Sequence, residues 1–195
     1  SLRAIADEFG ILLMFDEVQC GVGRTGKFYA HEWAGITPDI MASAKGLGGG
    51  FPIGATLATE RVAETMTAGS HGTTYGGNPL AVAAGNAVLD VVLAPGFLEN
   101  VAKVSAEFMN GLKKLVAAYP DQLEDCRGKG LMVGLKCKVS NGDLVNKAID
   151  HGLLSVPAGD NVVRFVPPMV VTSADVAEAL EKLDAALNDL KNEEA

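Results

Sequence analysis

The chain has 195 residues, 48% of them apolar and 21% charged, which is enough to bury a core and rules out a disordered or collagen-like polymer. Twenty-four acids against 16 bases leave a net charge of -8, which speaks against a nucleic acid or an anionic membrane surface as partner. Cys20, Cys126 and Cys137 are too few for a disulfide framework and lack the spacing of a zinc site, so they read as reduced thiols in a cytoplasm.

Leu2, Ile5, Ala6 and Phe9 follow helical spacing and stop at Gly10, after which Ile11 to Phe15 is a continuous apolar run of strand length. A helix feeding a fully buried strand predicts parallel α/β and implies a strand before it. Ile40 to Ala44 and Ile53 to Ala58 are two more such runs, and the three together predict a sheet core. Leu80 to Leu93 is apolar on every side, as suits a helix buried all round, and Asn78 with Pro79 marks its start. Asn86 and Asp90 interrupt its stretch, so no run is long enough to span a membrane.

The helix around Glu99 to Ala118 carries Val101, Val104, Phe108, Leu112 and Leu115 on one stripe. From about Asp125 the character changes. Short strands, Leu131 to Cys137 and Val162 to Val166, alternate with amphipathic helices, which predicts a smaller α+β domain. The last helix opens at a Thr172/Asp175 capping pair, and its acids lie on a solvated face. The expected organisation is 1–95 as part of a large domain, 96–124 as a linking helix and 125–195 as a small C-terminal domain.

Of the 23 glycines, nine fall between Gly46 and Gly77, so the backbone there must turn sharply or pass close to something. Gly21 to Gly26 matches a dinucleotide fingerprint by letter, but Asp16 and Glu17 precede it and would repel a pyrophosphate. Lys45 lacks the flanking Gly and Ser/Thr of a Walker loop. Two strands do each deliver one ionisable group at their carboxyl end, Asp16 and Lys45, at the edge where open α/β sheets bind ligands. An amine that forms a Schiff base and a carboxylate that keeps a pyridine nitrogen protonated would together suit pyridoxal phosphate. On spacing alone the alternative is an Asp/Lys ion pair or a capping Asp beside a solvated Lys.

FDEVQCGVGRTGK from Phe15, PDIMASAKGLGGGFPIGA from Pro38, GSHGTTYGGNPLA from Gly69, RGKGLMVGL from Arg127 and VVRFVPPMVV from Val162 stand in an order and spacing that resemble the class III pyridoxal-phosphate aminotransferases. The resemblance covers essentially the whole chain. It implies the C-terminal part of a fold-type I large domain, with a mainly parallel sheet, followed by a small α+β domain. It implies Lys45 as the residue that holds pyridoxal 5'-phosphate covalently and shuttles the proton, Asp16 as partner of the ring nitrogen, and Gln19 as a contact to the ring's phenolic oxygen. Glu17 and Val18 join the cofactor contacts. Thr74 matches a threonine that reaches the cofactor phosphate of a neighbouring subunit, and Thr73 and Arg164 match substrate contacts, with Arg164 clamping an α-carboxylate.

The reaction implied is amino transfer from N2-acetylornithine to 2-oxoglutarate, giving glutamate, in arginine biosynthesis by a cytoplasmic homodimer. Ornithine or 4-aminobutyrate as donor is the alternative within the family, and a non-catalytic remnant the alternative outside it. The family's glycine-rich phosphate cup, stacked aromatic ring and distal-end arginine have no counterpart here, so the chain is expected to be a C-terminal half that binds cofactor weakly and is inactive alone. The remaining residues read as structural. His71 is expected to hydrogen-bond its loop, His31 and His151, with no partner acids at ligand spacing, to have no role, Phe28, Tyr29 and Trp33 to pack, and Cys20 to be a small buried filler.

Overall fold

The computed structural model describes residues 1–193 and divides into two compact units, Ser1–Leu98 and Glu99–Ala195. In the first unit, α1 (Leu2–Phe9) starts where the Ser1 hydroxyl accepts the Ala4 N–H. It ends at Gly10, whose φ of 63° is the left-handed turn that glycine adopts without a Cβ penalty. A three-stranded sheet follows, in the order β1 (Met14–Asp16), β2 (Ile40–Ser43), β3 (Ala55–Ala58). β1 runs parallel to β2, with Asp16 opposite Ala42, and β3 runs antiparallel, with Ala55 opposite Ser43.

Two sequence expectations change here. The run from Ile11 is not a fully buried strand, because pairing starts only at Met14, and Ile11, Leu12 and Met14 are 56%, 48% and 64% exposed. The cause is Asp39: its carboxylate accepts the Leu13 N–H at 2.8 Å and its own N–H donates to the Leu13 carbonyl at 2.8 Å. That exchange satisfies the backbone ahead of the ladder, and β1 lies at the sheet's edge. The run from Ile53 supplies β3, whose residues are all exposed, so the three strands form a thin sheet rather than a closed core. Arg3 at 2.7 Å and Arg61 at 3.1 Å also bind the Asp39 carboxylate, tying α1 and the one-turn helix α2 (Glu60–Ala63) to the sheet.

Helix α3 (Pro79–Val92) is capped as the sequence predicts, Asn78 Oδ1 accepting the Ala81 N–H at 2.9 Å with Pro79 in the first turn. It is not buried all round. Ala81, Gly85 and Val92 are buried, while Leu80, Val82, Val91 and Leu93 are exposed, because the helix is covered on one side only. That side rests on the turn after β2, where Gly49, at φ 58°, would place a Cβ 2.7 Å from Val88 Cγ2.

The second unit is an α+β layer with its own core. Helix α4 (Phe97–Ala118) buries the predicted stripe of Val101, Val104, Phe108, Leu112 and Leu115, and Phe108 meets Phe165 edge-on at 5.5 Å. The helix read as a link is thus packed within this unit. The sheet is antiparallel, in the order β4 (Leu123–Lys129), β5 (Met132–Cys137), β7 (Val162–Phe165), β6 (Val156–Ala158). β5 alternates as a one-sided strand should: Val133, Leu135 and Cys137 are buried, and Met132, Gly134 and Lys136 are half-buried.

Helices α5 (Asn141–Asp150) and α6 (Ser173–Glu193) complete the layer. α6 opens on the predicted pair, the Thr172 N–H donating to Asp175 Oδ2 at 2.7 Å. Its Val176, Leu183, Leu187 and Leu190 are buried. Among the described residues no single helix is long and apolar enough to cross a membrane.

Candidate active site

Parallel pairing puts the carboxyl ends of β1 and β2 side by side, so Asp16 closes one strand and Lys45 follows the other after a single residue, Ala44. Ala44 is extended, and Lys45 turns abruptly to φ 46°, a left-handed conformation that costs a non-glycine residue about 1–2 kcal/mol. The strain opens a short 3-10 turn, Lys45–Gly48, and leaves the lysine exposed at the edge. Its amine has no hydrogen-bond or ion-pair partner among the described residues. Among the described residues the fold therefore builds no Asp16/Lys45 ion pair, while the other alternative, an Asp that accepts a local backbone N–H and a solvated Lys, agrees with this arrangement. Asp16 is exposed too, and its Oδ1 accepts the Val18 N–H at 2.9 Å, a local turn that fixes the carboxylate and leaves it room for a cationic donor. Gln19 stands half-buried three residues on.

Glu17, next in the chain, turns inward. Its side chain is 2% exposed and committed to the protein: Oε2 accepts the Ala30 N–H at 2.9 Å and Oε1 the His31 N–H at 2.8 Å. His31 Nδ1 lies 3.3 Å from Oε1, and the Cys20 thiol donates to Oε2 at 3.2 Å. The carboxylate is thus a structural acceptor whose oxygens are occupied within the protein. Burial, then Glu17, pushes the Cys20 thiol up to about 11, so Cys20 belongs to this cluster and is a poor nucleophile. His31 and His151 have no acid at ligand spacing in the sequence, yet the fold gives each one, with His151 Nε2 2.8 Å from Asp189. Glu17 is 14 residues from His31 and Asp189 is 38 from His151, separations that spacing rules do not see.

Phe28 and Tyr29 pack as expected, edge-on at 4.7 Å, whereas Trp33 is 46% exposed, with Lys27 Nζ 5.3 Å over its ring. The Gly21–Gly26 segment is a turn followed only by a five-residue 3-10 helix, Ala30–Ala34, and not by the α-helix that a dinucleotide fingerprint opens, which speaks against that reading. Thr73 and Thr74 lie exposed in the loop before α3, and Thr73 Oγ1 accepts the Gly76 N–H at 3.0 Å. His71, exposed in the same loop, makes no hydrogen bond among the described residues, contrary to expectation.

Arg164 lies in the second unit, half-buried on β7 opposite Gly134 of β5 and Val156 of β6. It lines a largely apolar cavity of about 280 Å³ with Phe165, Pro167, Pro168 and Val171. Each unit thus carries one cluster: an acid, an amide and an amine at a sheet edge in the first, and a guanidinium beside an apolar hollow in the second.

The family model for class-III aminotransferases matches residues 1–187. The acetylornithine aminotransferase of Brucella melitensis is 59% identical over 189 residues, 97% of this chain and 47% of that protein. Among solved structures, the N-acetylornithine aminotransferase of Stenotrophomonas maltophilia superimposes with a TM-score of 0.88 at 36% identity, over 98% of this chain and 50% of that one. An ornithine aminotransferase from Plasmodium yoelii gives a TM-score of 0.90 at 32% identity, over 96% and 50%. The chain spans about half the length of the relatives it matches.

Proposed function

The chain belongs to the class-III aminotransferases, and from that premise we propose that it carries the lysine side of a pyridoxal 5'-phosphate site serving amino transfer from N2-acetylornithine to 2-oxoglutarate. The observation that carries the reading is the strained, unpartnered Lys45 amine beside the exposed Asp16 carboxylate on neighbouring strand ends. That donor set fits the cofactor: an amine for its aldehyde, a carboxylate for its ring nitrogen, and the hydroxyl of Thr74 for its phosphate. Bound there, pyridoxal phosphate supplies an electron-accepting ring that stabilises the negative charge left when a C–H proton departs.

The protein's own groups do the rest. Lys45 Nζ holds the cofactor, then as a free amine takes and returns the proton. Asp16 accepts from the ring nitrogen and keeps it protonated, and Gln19 donates to the ring oxygen. Thr74 serves the phosphate across a homodimer. Thr73 meets substrate, and the Arg164 guanidinium binds the α-carboxylate of acetylornithine, 2-oxoglutarate or glutamate with two parallel N–H bonds. The three free thiols suit a reducing compartment, and we place the reaction in the cytoplasm. Free ornithine is the competing donor, favoured by the fold match to the Plasmodium yoelii enzyme but at lower identity than the Brucella relative.

A chimera tests this: the chain replaces the matched half of the Brucella melitensis enzyme. It should exchange acetylornithine with 2-oxoglutarate, prefer it to free ornithine, and lose turnover entirely as Lys45→Ala. A folded chimera whose turnover survives Lys45→Ala overturns the assignment.

A further inference from the structure

Glu17 is a buried carboxylate beside the candidate site that the reaction does not use. Burying a charge is unfavourable unless its lone pairs are filled, and here three donors fill them, the N–H groups of Ala30 and His31 and the Cys20 thiol, with His31 Nδ1 3.3 Å from Oε1 beside them. The placement is specific. Glu17 follows Asp16 directly, and its own N–H donates to the Ala42 carbonyl at 2.9 Å, extending the β1–β2 ladder by one bond. Neighbouring residues on an extended strand face opposite ways, so the acid that points in determines how the acid that points out is presented.

The surroundings are tight. Gly21 donates to the Glu17 carbonyl at 3.0 Å, and a Cβ on Gly21 would stand 2.7 Å from that oxygen and 2.9 Å from Tyr29 Cδ1. Tyr29 in turn stacks on His31 at 5.8 Å, and the Cys20 thiol reaches back to the Asp16 carbonyl at 3.5 Å. Residues 20–31 are therefore folded around the Glu17 carboxylate and closed onto the end of β1.

We propose that Glu17 is a positioning residue, whose buried carboxylate anchors residues 20–31 to the end of β1 and so holds Asp16 outward in the turn that Val18 closes. The inference rests on the reading of Asp16 as ring partner, but its test needs no cofactor. Amide hydrogen exchange is measured on the full chain as wild type, Glu17→Ala, Glu17→Gln and Asp16→Ala. Glu17→Ala should speed exchange at Ala30 and His31 on the order of a hundredfold, because their bonds go to a charged acceptor, and at Val18 about tenfold. Glu17→Gln, which keeps one acceptor oxygen, should fall between. Asp16→Ala should speed Val18 alone, and β5 amides should not change in any variant.

Faster exchange at Ala30 and His31 with Val18 at its wild-type rate would overturn the proposal, leaving Glu17 a loop staple only. If Glu17→Ala does not fold, the same split in Glu17→Gln decides. Failure of the cofactor reading shows elsewhere, as absence of reducible pyridoxal phosphate on Lys45 in the chimera with the Brucella melitensis enzyme.

Discussion

Leu135 and Leu183, in the second unit, are fully buried, whereas Phe9 and Met14, in the first, are 69% and 64% exposed. Both units are of similar size and both contain a sheet with helices, yet they are held differently. The second is packed around Val104, Leu112, Leu135, Leu144 and Leu187, each burial of this kind contributing about 1.5–3 kcal/mol. The first relies on polar ties: Asp39 gathering two arginines and the Leu13 N–H, Glu17 gathering a loop, Asn78 capping a helix. The groups we assign to the cofactor sit on the second kind of construction, where local hydrogen bonds, not a deep core, fix the reacting edge.

The comparison can be broken at its strongest point first. Leu183→Ala should cost the second unit about 2–5 kcal/mol, read from the global-opening exchange of β5 amides in rising urea. A cost under about 1 kcal/mol would show that this core is not what holds the unit. Next comes pH. The Leu13 N–H, then Arg3, hold the Asp39 carboxyl down at about 2, below an unfolded value of about 3.9. Its contribution is complete above about pH 4 and is lost as pH falls toward about 2. Exchange at Leu13 should therefore accelerate across that window in wild type and show no such step in Asp39→Asn.

Asn78→Ala should destabilise α3 by about 1 kcal/mol, and Ser140→Ala should act similarly on α5, since a helix cap works the same way over a rich core or a poor one. Smallest of all, Phe9→Ala should stay within about 0.5 kcal/mol, read from the urea midpoint of the first unit, because its ring is already in solvent.

Helices were legible in the sequence wherever spacing and caps agreed. The α4 stripe, the Asn78–Pro79 start and the Thr172/Asp175 pair all stand as read. Strand identity was legible and strand burial was not. Ile11 to Phe15 is apolar enough for an interior strand, but a run of hydrophobic residues cannot report that Asp39, 26 residues from Leu13, takes the backbone bond that would have extended pairing. β4 escaped because LEDCRGK does not alternate, its register shifting between Leu123 and Asp125, and β6 because it is three residues with a central proline. At the site, Asp16 and Lys45 were legible as residues ending apolar runs. The inward commitment of Glu17 was not, since its partners lie 13 and 14 residues downstream and only the folded loop brings them back.

The central claim is that the Lys45 amine is the group that takes the cofactor. The direct measurement is to incubate the chimera, in which the chain replaces the matched half of the Brucella melitensis enzyme, with pyridoxal phosphate, reduce with borohydride and map the modified peptides by mass. The account predicts that the label concentrates on Lys45 and disappears from that peptide in Lys45→Ala. Label spread evenly over exposed lysines such as Lys103 and Lys27, with no preference for position 45, would contradict it.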